Sequence, residues 1–314
     1  PSNSFIYLYG NMDMEEKLEF LDSHYLSAFD SLAIDSEIRD QEAFAQVKDI
    51  QKSYPVSEDE GEEDNTYLSY NMVVGEAADI NLSLAFEVLD YALLSAPGAP
   101  LKQALLDAKI GKDIYGSFED GIKQTYFSIV AKGANLSQKE EFVKVIRDTL
   151  TKIAEEGIDK KAVTAGINYY EFRFREADFS SYPKGLMYGL DILSSWLYDD
   201  TKPFCEVQLL EGFEFLKKAL EEGYFEDLIR KYLLDNTHGA ILSLVPEKGL
   251  AAKRDKELEE KLENYRKSLS DEELTRMVEN TKALEAYQES EEDPEALTCI
   301  PMLSREDIKK EITG

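Results

Sequence analysis

The residues that most often build a catalytic metal site are scarce in this chain. Its 314 residues include only two histidines, His24 and His238. A zinc site of the His-x-x-Glu-His, His-Glu-x-x-His or three-histidine type cannot be assembled from them, because each type needs two or more histidines at a set spacing. We expect both histidines to have surface or hydrogen-bonding roles, since partners for metal ligation are so few.

Other common catalytic signatures are also missing from the sequence. It contains no GxSxG nucleophile elbow, no GxxxxGK[ST] phosphate loop and no GxGxxG dinucleotide fingerprint. Cys205 and Cys299 stand far apart without a neighbouring histidine, so packed thiols are expected and not nucleophiles. Carboxylate pairs occur at almost any spacing by chance, because the chain holds 64 acidic residues. We therefore predict no catalytic, cofactor-binding or metal-binding residues.

Three segments could form binding sites, and each has a simpler structural interpretation. The run 58–64 holds six acids in seven positions, but it lacks the ligand spacing of a calcium loop and is typical of a solvated loop. The segment 171–176 alternates charged and aromatic residues and could face a partner, although a packed helix with its own ion pairs is favoured. Trp196, with Tyr198 and Phe204 nearby, favours core or interface packing over an aromatic substrate box.

The charge balance limits the partners that this chain can bind. Its 64 acids and 35 bases leave a formal net charge of −29 at pH 7, which disfavours nucleic acid and anionic membranes as partners. No apolar run approaches the roughly 18 residues of a membrane-spanning helix. The two cysteines form no CxxC pair or disulfide framework, so a reducing compartment is favoured and we expect a cytoplasmic location.

Hydrophobic periodicity predicts strands mixed with helices along most of the chain. The predicted strands are 4–10, 66–74, 114–118, 125–130 and 240–245. The predicted helices are one that begins after Asp13 and those at 79–94, 137–157, 159–177, 185–199, 204–221 and 223–234. The charge-rich segment 253–287 shows two narrow apolar stripes, which are typical of a helical hairpin that packs on itself or bridges larger bodies. The predicted fold class is α+β: an antiparallel sheet packed with helices, followed by a long helical hairpin.

Several short motifs, in a consistent order over nearly all 314 residues, point to one protein family. They are PSNS at 1–4, APL at 99–101, EF and RE within 171–176, YPKGL at 182–186, SWLYD at 195–199, NTH at 236–238, DPEAL at 293–297 and CIP at 299–301. These segments resemble the presequence-protease branch of the insulinase-like, or pitrilysin, zinc metallopeptidases, which also includes falcilysin-like enzymes.

The resemblance implies a large peptidase of four similar domains, paired into two halves that close around a peptide. In that family the zinc ligands lie in the first domain, on an inverted His-x-x-Glu-His helix, and substrate-positioning residues come from the last domain. The corresponding helix here has Phe86 and Asp90 where histidines would be needed. The resemblance therefore implies that zinc belongs to the parent enzyme and that this chain holds a non-catalytic copy of the fold, with no cofactor of its own.

The resemblance also implies a division of the chain into five segments. These are the tail of the preceding catalytic domain, with a strand and a helix (1–29), a linker with the acidic loop (30–65), a non-catalytic domain (66–247), a hinge hairpin (248–290) and the lead-in to a third domain (291–314). A chain that opens within a strand also suggests a fragment of a longer polypeptide.

Two functional hypotheses follow. The first is a non-catalytic structural segment of a zinc-dependent oligopeptidase, which buttresses the catalytic domain and forms chamber wall and hinge. Its partners would be the other domains of the same peptidase and, through the chamber, peptide substrates. The alternative is a self-contained acidic scaffold that recruits a partner through its helical hairpin. A fragment should expose apolar surface where neighbouring domains were attached, whereas a natural scaffold should not.

Overall fold

The computed structural model describes residues 1–298 together with 300, 302, 304 and 305. The chain divides into two units after Leu250. Cys299 and most of the predicted lead-in that follows it lie outside the described residues. Within the described part, no helix is long and apolar enough to cross a membrane.

A five-stranded sheet with the order β1-β5-β2-β4-β3 organises the first unit. The strands are β1 (Lys48–Val56), β2 (Thr66–Glu76), β3 (Asp113–Glu119), β4 (Gln124–Ala134) and β5 (Gly239–Lys248). β2 lies antiparallel to both β4 and β5, and β3 lies antiparallel to β4. Only the edge pair β1 and β5 is parallel in this sheet.

Helices account for most of the remaining chain. In the first unit they are α1 (Met14–His24), α2 (Ile80–Asp90), α3 (Pro100–Asp107), α4 (Lys139–Glu156), α5 (Lys160–Glu176), α6 (Lys184–Trp196), α7 (Leu210–Ala219) and α8 (Tyr224–Leu228). π-helical turns prolong α2 over Tyr91–Ser95 and α8 over Ile229–Leu234. Then follow α9 (Leu250–Ser268), α10 (Asp271–Gln288) and α11 (Pro294–Leu297). The predicted α+β class, a sheet packed with helices, is confirmed.

The core lies between the sheet and its helices. Alternate residues of β2, among them Leu68, Tyr70 and Met72, are fully buried because successive strand side chains point to opposite faces. Phe86 and Phe142 come from the facing helices into the same apolar cluster. The Tyr70 hydroxyl donates a 2.6 Å hydrogen bond to the Leu233 carbonyl, so a polar atom that burial would otherwise strand is satisfied.

β1 lies inside the range that the sequence assigns to a linker, 30–65. Its register with β5 runs from Lys48 opposite Ala240 to Val56 opposite Lys248, and none of its nine residues is fully buried. An edge strand packs on the sheet along one side only and needs little apolar sequence. The hydrophobic pattern therefore gave no sign of it, and its acidic neighbour 58–64 drew the whole region into a loop.

The strand predicted at 4–10 is not a strand in the structure, and that prediction is wrong. This segment makes no ladder pairing, and its aromatic side chains pack on α6 instead. The Phe5 ring centroid lies 4.9 Å from that of Trp196. The rings of Tyr7 and Tyr9 lie so close to Gly189 and Gly185 that a Cβ at either glycine would overlap them. The bulky residues that suggested a strand are thus used to cover a helix.

The helical hairpin segment exposes its apolar stripes. On α9 these are Leu258 and Leu262, and on α10 they are Met277 and Leu284, and each is about half exposed. Ser270 caps α10 in a capping box, with its hydroxyl accepting from the Glu273 amide at 3.3 Å. Of the two possibilities left open by the sequence, a hairpin that packs on itself is not what the structure shows.

Candidate functional site

α2 is the helix that should carry zinc ligands if this domain had a metal site. Asp79 caps its start by accepting a 3.2 Å hydrogen bond from the Leu82 amide. Phe86 then falls on the core side and is fully buried, with its ring centroid 5.8 Å from Phe118 and 5.7 Å from Phe127. A phenyl ring cannot ligate a metal, and this ring is part of the core.

Asp90 faces a setting that also differs from a metal site. Its Oδ2 accepts a 3.1 Å hydrogen bond from the Ser95 hydroxyl, while its Oδ1 is buried without a hydrogen-bond partner. That oxygen lies where a side chain on Gly116 would otherwise stand. Close packing against β3 leaves no room for an ion and its ligands at this atom.

The two histidines lie elsewhere in the first unit. His24 Nδ1 is 2.8 Å from the Ser23 hydroxyl on the exposed helix α1, and His238 packs edge-to-face on Phe44 with a centroid distance of 4.9 Å. Burial and the charge of Lys48 lower the pKa of His238. Across residues 1–298, no group of three or more His, Cys, Asp or Glu side chains is arranged to hold a metal ion. The described residues do not fit a zinc site.

The other sequence candidates have structural settings. The Glu171 carboxylate pairs with Arg175 at 2.6 Å and with Lys217 at 2.7 Å, as the internal ion-pair interpretation of 171–176 requires. Hydrogen bonds from these two cations hold the pKa of Glu171 below its usual value. Cys205 Sγ lies 3.1 Å from the Ser195 hydroxyl. Trp196, as shown above, packs on Phe5.

The structure does form an acidic cavity that the sequence did not predict. It has a volume of about 340 Å³ and lies among α2, α5, α6, the β3–β4 turn and the segment before α7. Four carboxyl groups from different elements line it: Glu87, Asp120, Asp191 and Glu206. Only Glu87 drew attention in the sequence, through its place between Phe86 and Asp90. The other three could not be singled out among 64 acids, because only the tertiary fold brings them together.

Burial and mutual repulsion hold protons on these carboxyls. Burial first, and the charge of Asp120 second, raise the pKa of Glu87 to about 8. The same two causes raise the pKa of Glu206 to about 8. The pKa of Asp191 is raised by burial and by Asp120, and that of Asp120 chiefly by burial. Near neutral pH the cavity therefore keeps protons that surface carboxyls would lose.

Aromatic rings form much of the remaining wall. Phe179 and Tyr188 meet edge-to-face with centroids 5.4 Å apart, and Phe174 lies 6.1 Å from Phe213. The Tyr170 hydroxyl also lines the cavity, and burial together with Glu87 and Asp90 raises its pKa. A polar floor enclosed by rings can bind a group that is charged at one end and apolar along its length.

Comparison with known proteins covers both units of the chain. The family model described as "Peptidase M16 inactive domain" matches residues 1–170, and a second model, for the segment associated with peptidases of subfamily C of M16, matches residues 244–314. Protein HypA of Clostridium perfringens is 45% identical over 313 residues, which cover 100% of this chain and 32% of HypA. Presequence protease 1, chloroplastic/mitochondrial, of Arabidopsis thaliana is 33% identical and is matched over 100% of this chain and 30% of its own length. The chain thus spans about a third of the length of these relatives.

Solved structures share the fold at low sequence identity. A protease from Helicobacter pylori superposes with a TM-score of 0.55 and 16% identity, covering 76% of this chain and 53% of that chain. A conserved protein from Enterococcus faecalis V583 gives a TM-score of 0.55 with 11% identity, covering 76% and 51%. At such identities these likenesses establish the fold alone.

Proposed function

This chain belongs to the peptidase M16 family, whose inactive-domain model covers residues 1–170, and we propose that it is a non-catalytic structural segment of a longer zinc-dependent peptidase. The observation that carries the proposal is the setting of α2. Where a catalytic copy of the fold would place metal ligands, this copy has Phe86 in the hydrophobic core and Asp90 closed in against β3. The helix stabilises the domain and has no role in bond cleavage.

The exposed apolar residues of the first 44 positions support a role as a buttress. They are Met14, Leu18, Phe20, Tyr25, Phe29, Leu32, Ile34 and Ile38. A protein that works alone rarely exposes so many large apolar side chains in one segment. In the proposal, the preceding catalytic domain covers them. The domain proper extends the predicted range 66–247 by the edge strand β1, and residues 1–29 belong with the catalytic domain.

The exposed stripes of α9 and α10 support the second part of the proposal. Helices with narrow apolar stripes and charged flanks pack on partners along a line. We infer that residues 248–290 connect the two halves of the peptidase, which close around a peptide and form a chamber, with this domain as part of its wall. The alternative of an independent scaffold gains no support from the first unit, since it would leave the apolar surface of residues 1–44 uncovered.

Co-purification tests the buttress directly. This chain would be expressed with a tagged segment of Clostridium perfringens HypA that comprises the residues preceding its matched part. We expect a stable one-to-one complex, which the change L18D/F20D on α1 abolishes because it places charge on the covered surface. The control E19A/D22A alters exposed polar positions of the same helix. The buttress role is contradicted when no complex forms, or when both double variants weaken it equally.

A further inference from the structure

The acidic cavity carries charge that its own surroundings do not neutralise. In the described part of the chain, no lysine or arginine nitrogen lies within 4.0 Å of the carboxylates of Glu87, Asp120, Asp191 or Glu206. Arg173 lines the same cavity, but its guanidinium lies 5.6 Å from the Tyr169 ring and its Nη1 is 3.5 Å from the Tyr169 hydroxyl. One arginine directed at a tyrosine leaves the four carboxyls without an ion-pair partner.

A neighbouring carboxylate shows what a structural acid looks like here. Glu171 lies on α5, the helix that also supplies Arg173, and it is paired by both Arg175 and Lys217 within 2.7 Å. Those pairs lower its pKa. The chain therefore provides cations where a carboxylate serves the fold, and it provides none within ion-pair distance of the cavity acids.

Glu87 is the second observation that points to a ligand. As a residue it keeps some exposure because it lines the cavity, but its carboxyl group is almost fully enclosed by protein. No hydrogen bond or ion pair from any described residue reaches that carboxyl. An enclosed carboxyl without a partner is costly to the fold, and evolution could replace it with glutamine at little structural expense. Its presence is explained if a positively charged group from outside the chain enters the cavity.

The size and walls of the cavity restrict what that group can be. A volume of about 340 Å³ is at the lower end of the range for small-ligand sites, roughly 300–1,000 Å³. Tyr188, Phe179 and Phe213 offer ring surface for an aliphatic stem, and aromatic faces also attract cations. A hydrated inorganic ion would not use these rings, and the described carboxyls do not form a metal-binding cluster.

We propose that this cavity binds the charged end of an arginine or lysine side chain of a peptide, with Glu87 and Glu206 as its ion-pair partners and the aromatic wall around its stem. The inference does not rest on the proposed function, because it concerns this chain by itself. If both hold, the inactive domain would favour peptides that carry basic residues.

Proton release is an expected consequence of this binding. The titratable and charged groups that face the site are Glu87 and Asp90 from α2, Asp120 from the β3–β4 turn, Tyr170, Arg173 and Asp178 from α5, Asp191 from α6, and Glu206. A bound cation stabilises the ionised carboxyls, so their pKa values fall and protons leave. Affinity should therefore rise with pH up to about 8, where the empty site begins to ionise by itself.

Binding of short peptides tests the inference. The probes are fluorescein-labelled Ala-Leu-Arg-Leu-Ala and Ala-Leu-Lys-Leu-Ala, with Ala-Leu-citrulline-Leu-Ala as the neutral control and spermidine as a free polyamine. We expect saturable binding of the arginine and lysine peptides, at least tenfold weaker binding of the citrulline peptide, and displacement by excess unlabelled arginine peptide. Binding of spermidine without the basic peptides, or equal binding of the citrulline peptide, would overturn the proposal.

Variants separate the cavity from the general acidity of the chain. E87Q/E206Q should weaken binding of the arginine peptide at least tenfold and remove proton release, measured by titration calorimetry in two buffers of different ionisation enthalpy. E211Q/E222Q removes two charges from exposed positions on nearby elements and should change binding less than twofold. Circular dichroism and urea unfolding establish that both variants are folded. Equal effects of the two double variants, or affinity that does not increase between pH 6 and pH 8, would refute a specific cation site.

Discussion

Replacing Glu87 by glutamine should make the fold less sensitive to alkaline pH. Burial and Asp120 raise the pKa of Glu87 from 4.5 to about 8, so between those values the folded state binds a proton that the unfolded chain has lost. Stability must then fall as pH rises through that window, because the unfolded state binds fewer protons there. E87Q carries no titrating group at this position and should not lose this stability.

The size of the effect follows from the two pKa values. Each pH unit of difference corresponds to about 1.4 kcal/mol, so the interval from 4.5 to about 8 sets an upper value of about 5 kcal/mol for an isolated group. Glu206 titrates in the same range and repels Glu87, so the two carboxyls share the loss. We expect the free energy of unfolding of E87Q, relative to the unchanged chain, to gain about 3 kcal/mol between pH 5 and pH 9.

Urea unfolding at pH 5, 7 and 9, followed by circular dichroism and tryptophan fluorescence, measures this difference. E211Q is the matched control, because Glu211 lies exposed at the start of α7 and its removal should leave the pH dependence unchanged. If E87Q and the unchanged chain lose stability in parallel from pH 5 to pH 9, the enclosed and unpaired carboxyl described above does not exist in solution.

Three further changes test the packing of the two units. F86A should lower the free energy of unfolding by about 3–5 kcal/mol, since Phe86 is fully buried among other rings; a loss below about 1 kcal/mol in urea unfolding would contradict its place in the core. G189V should push Tyr7 off α6 and speed limited proteolysis within residues 1–13, while an unchanged digestion pattern would contradict that contact. S270A should remove the α10 cap at a cost of about 1 kcal/mol, visible as lost helix content by circular dichroism in a peptide of residues 268–290, and equal helicity would exclude the capping box.

The parts of the fold with strong internal patterns could be predicted from the sequence. β2 and β4 alternate apolar residues toward one face, and α4 repeats them every three or four positions, so each element announces its own buried side. β1 has no such pattern because it is an edge strand. The segment 4–10 has a strand-like composition, but it packs its rings on the two glycines of α6, a contact between residues about 180 positions apart that no local pattern contains.

The acidic cavity shows the same limit more sharply. Acids outnumber bases so heavily in this chain that Asp120, Asp191 and Glu206 look like ordinary surface residues in sequence. They become exceptional only because helix packing places them around Glu87 and withholds a basic partner. Motifs in which one element supplies all the ligands can be read from sequence, whereas sites assembled from several elements cannot.

Cleavage of quenched-fluorescent peptides by the purified chain, with zinc supplied, tests the central claim most directly. Presequence protease 1 of Arabidopsis thaliana serves as the positive control, and equilibrium dialysis measures the zinc bound to the chain. The account predicts no cleavage above buffer and far less than one tightly bound zinc per chain, beside an active control. Zinc-dependent cleavage by this chain alone, abolished by a chelator and restored by added zinc, would contradict its assignment as a non-catalytic segment.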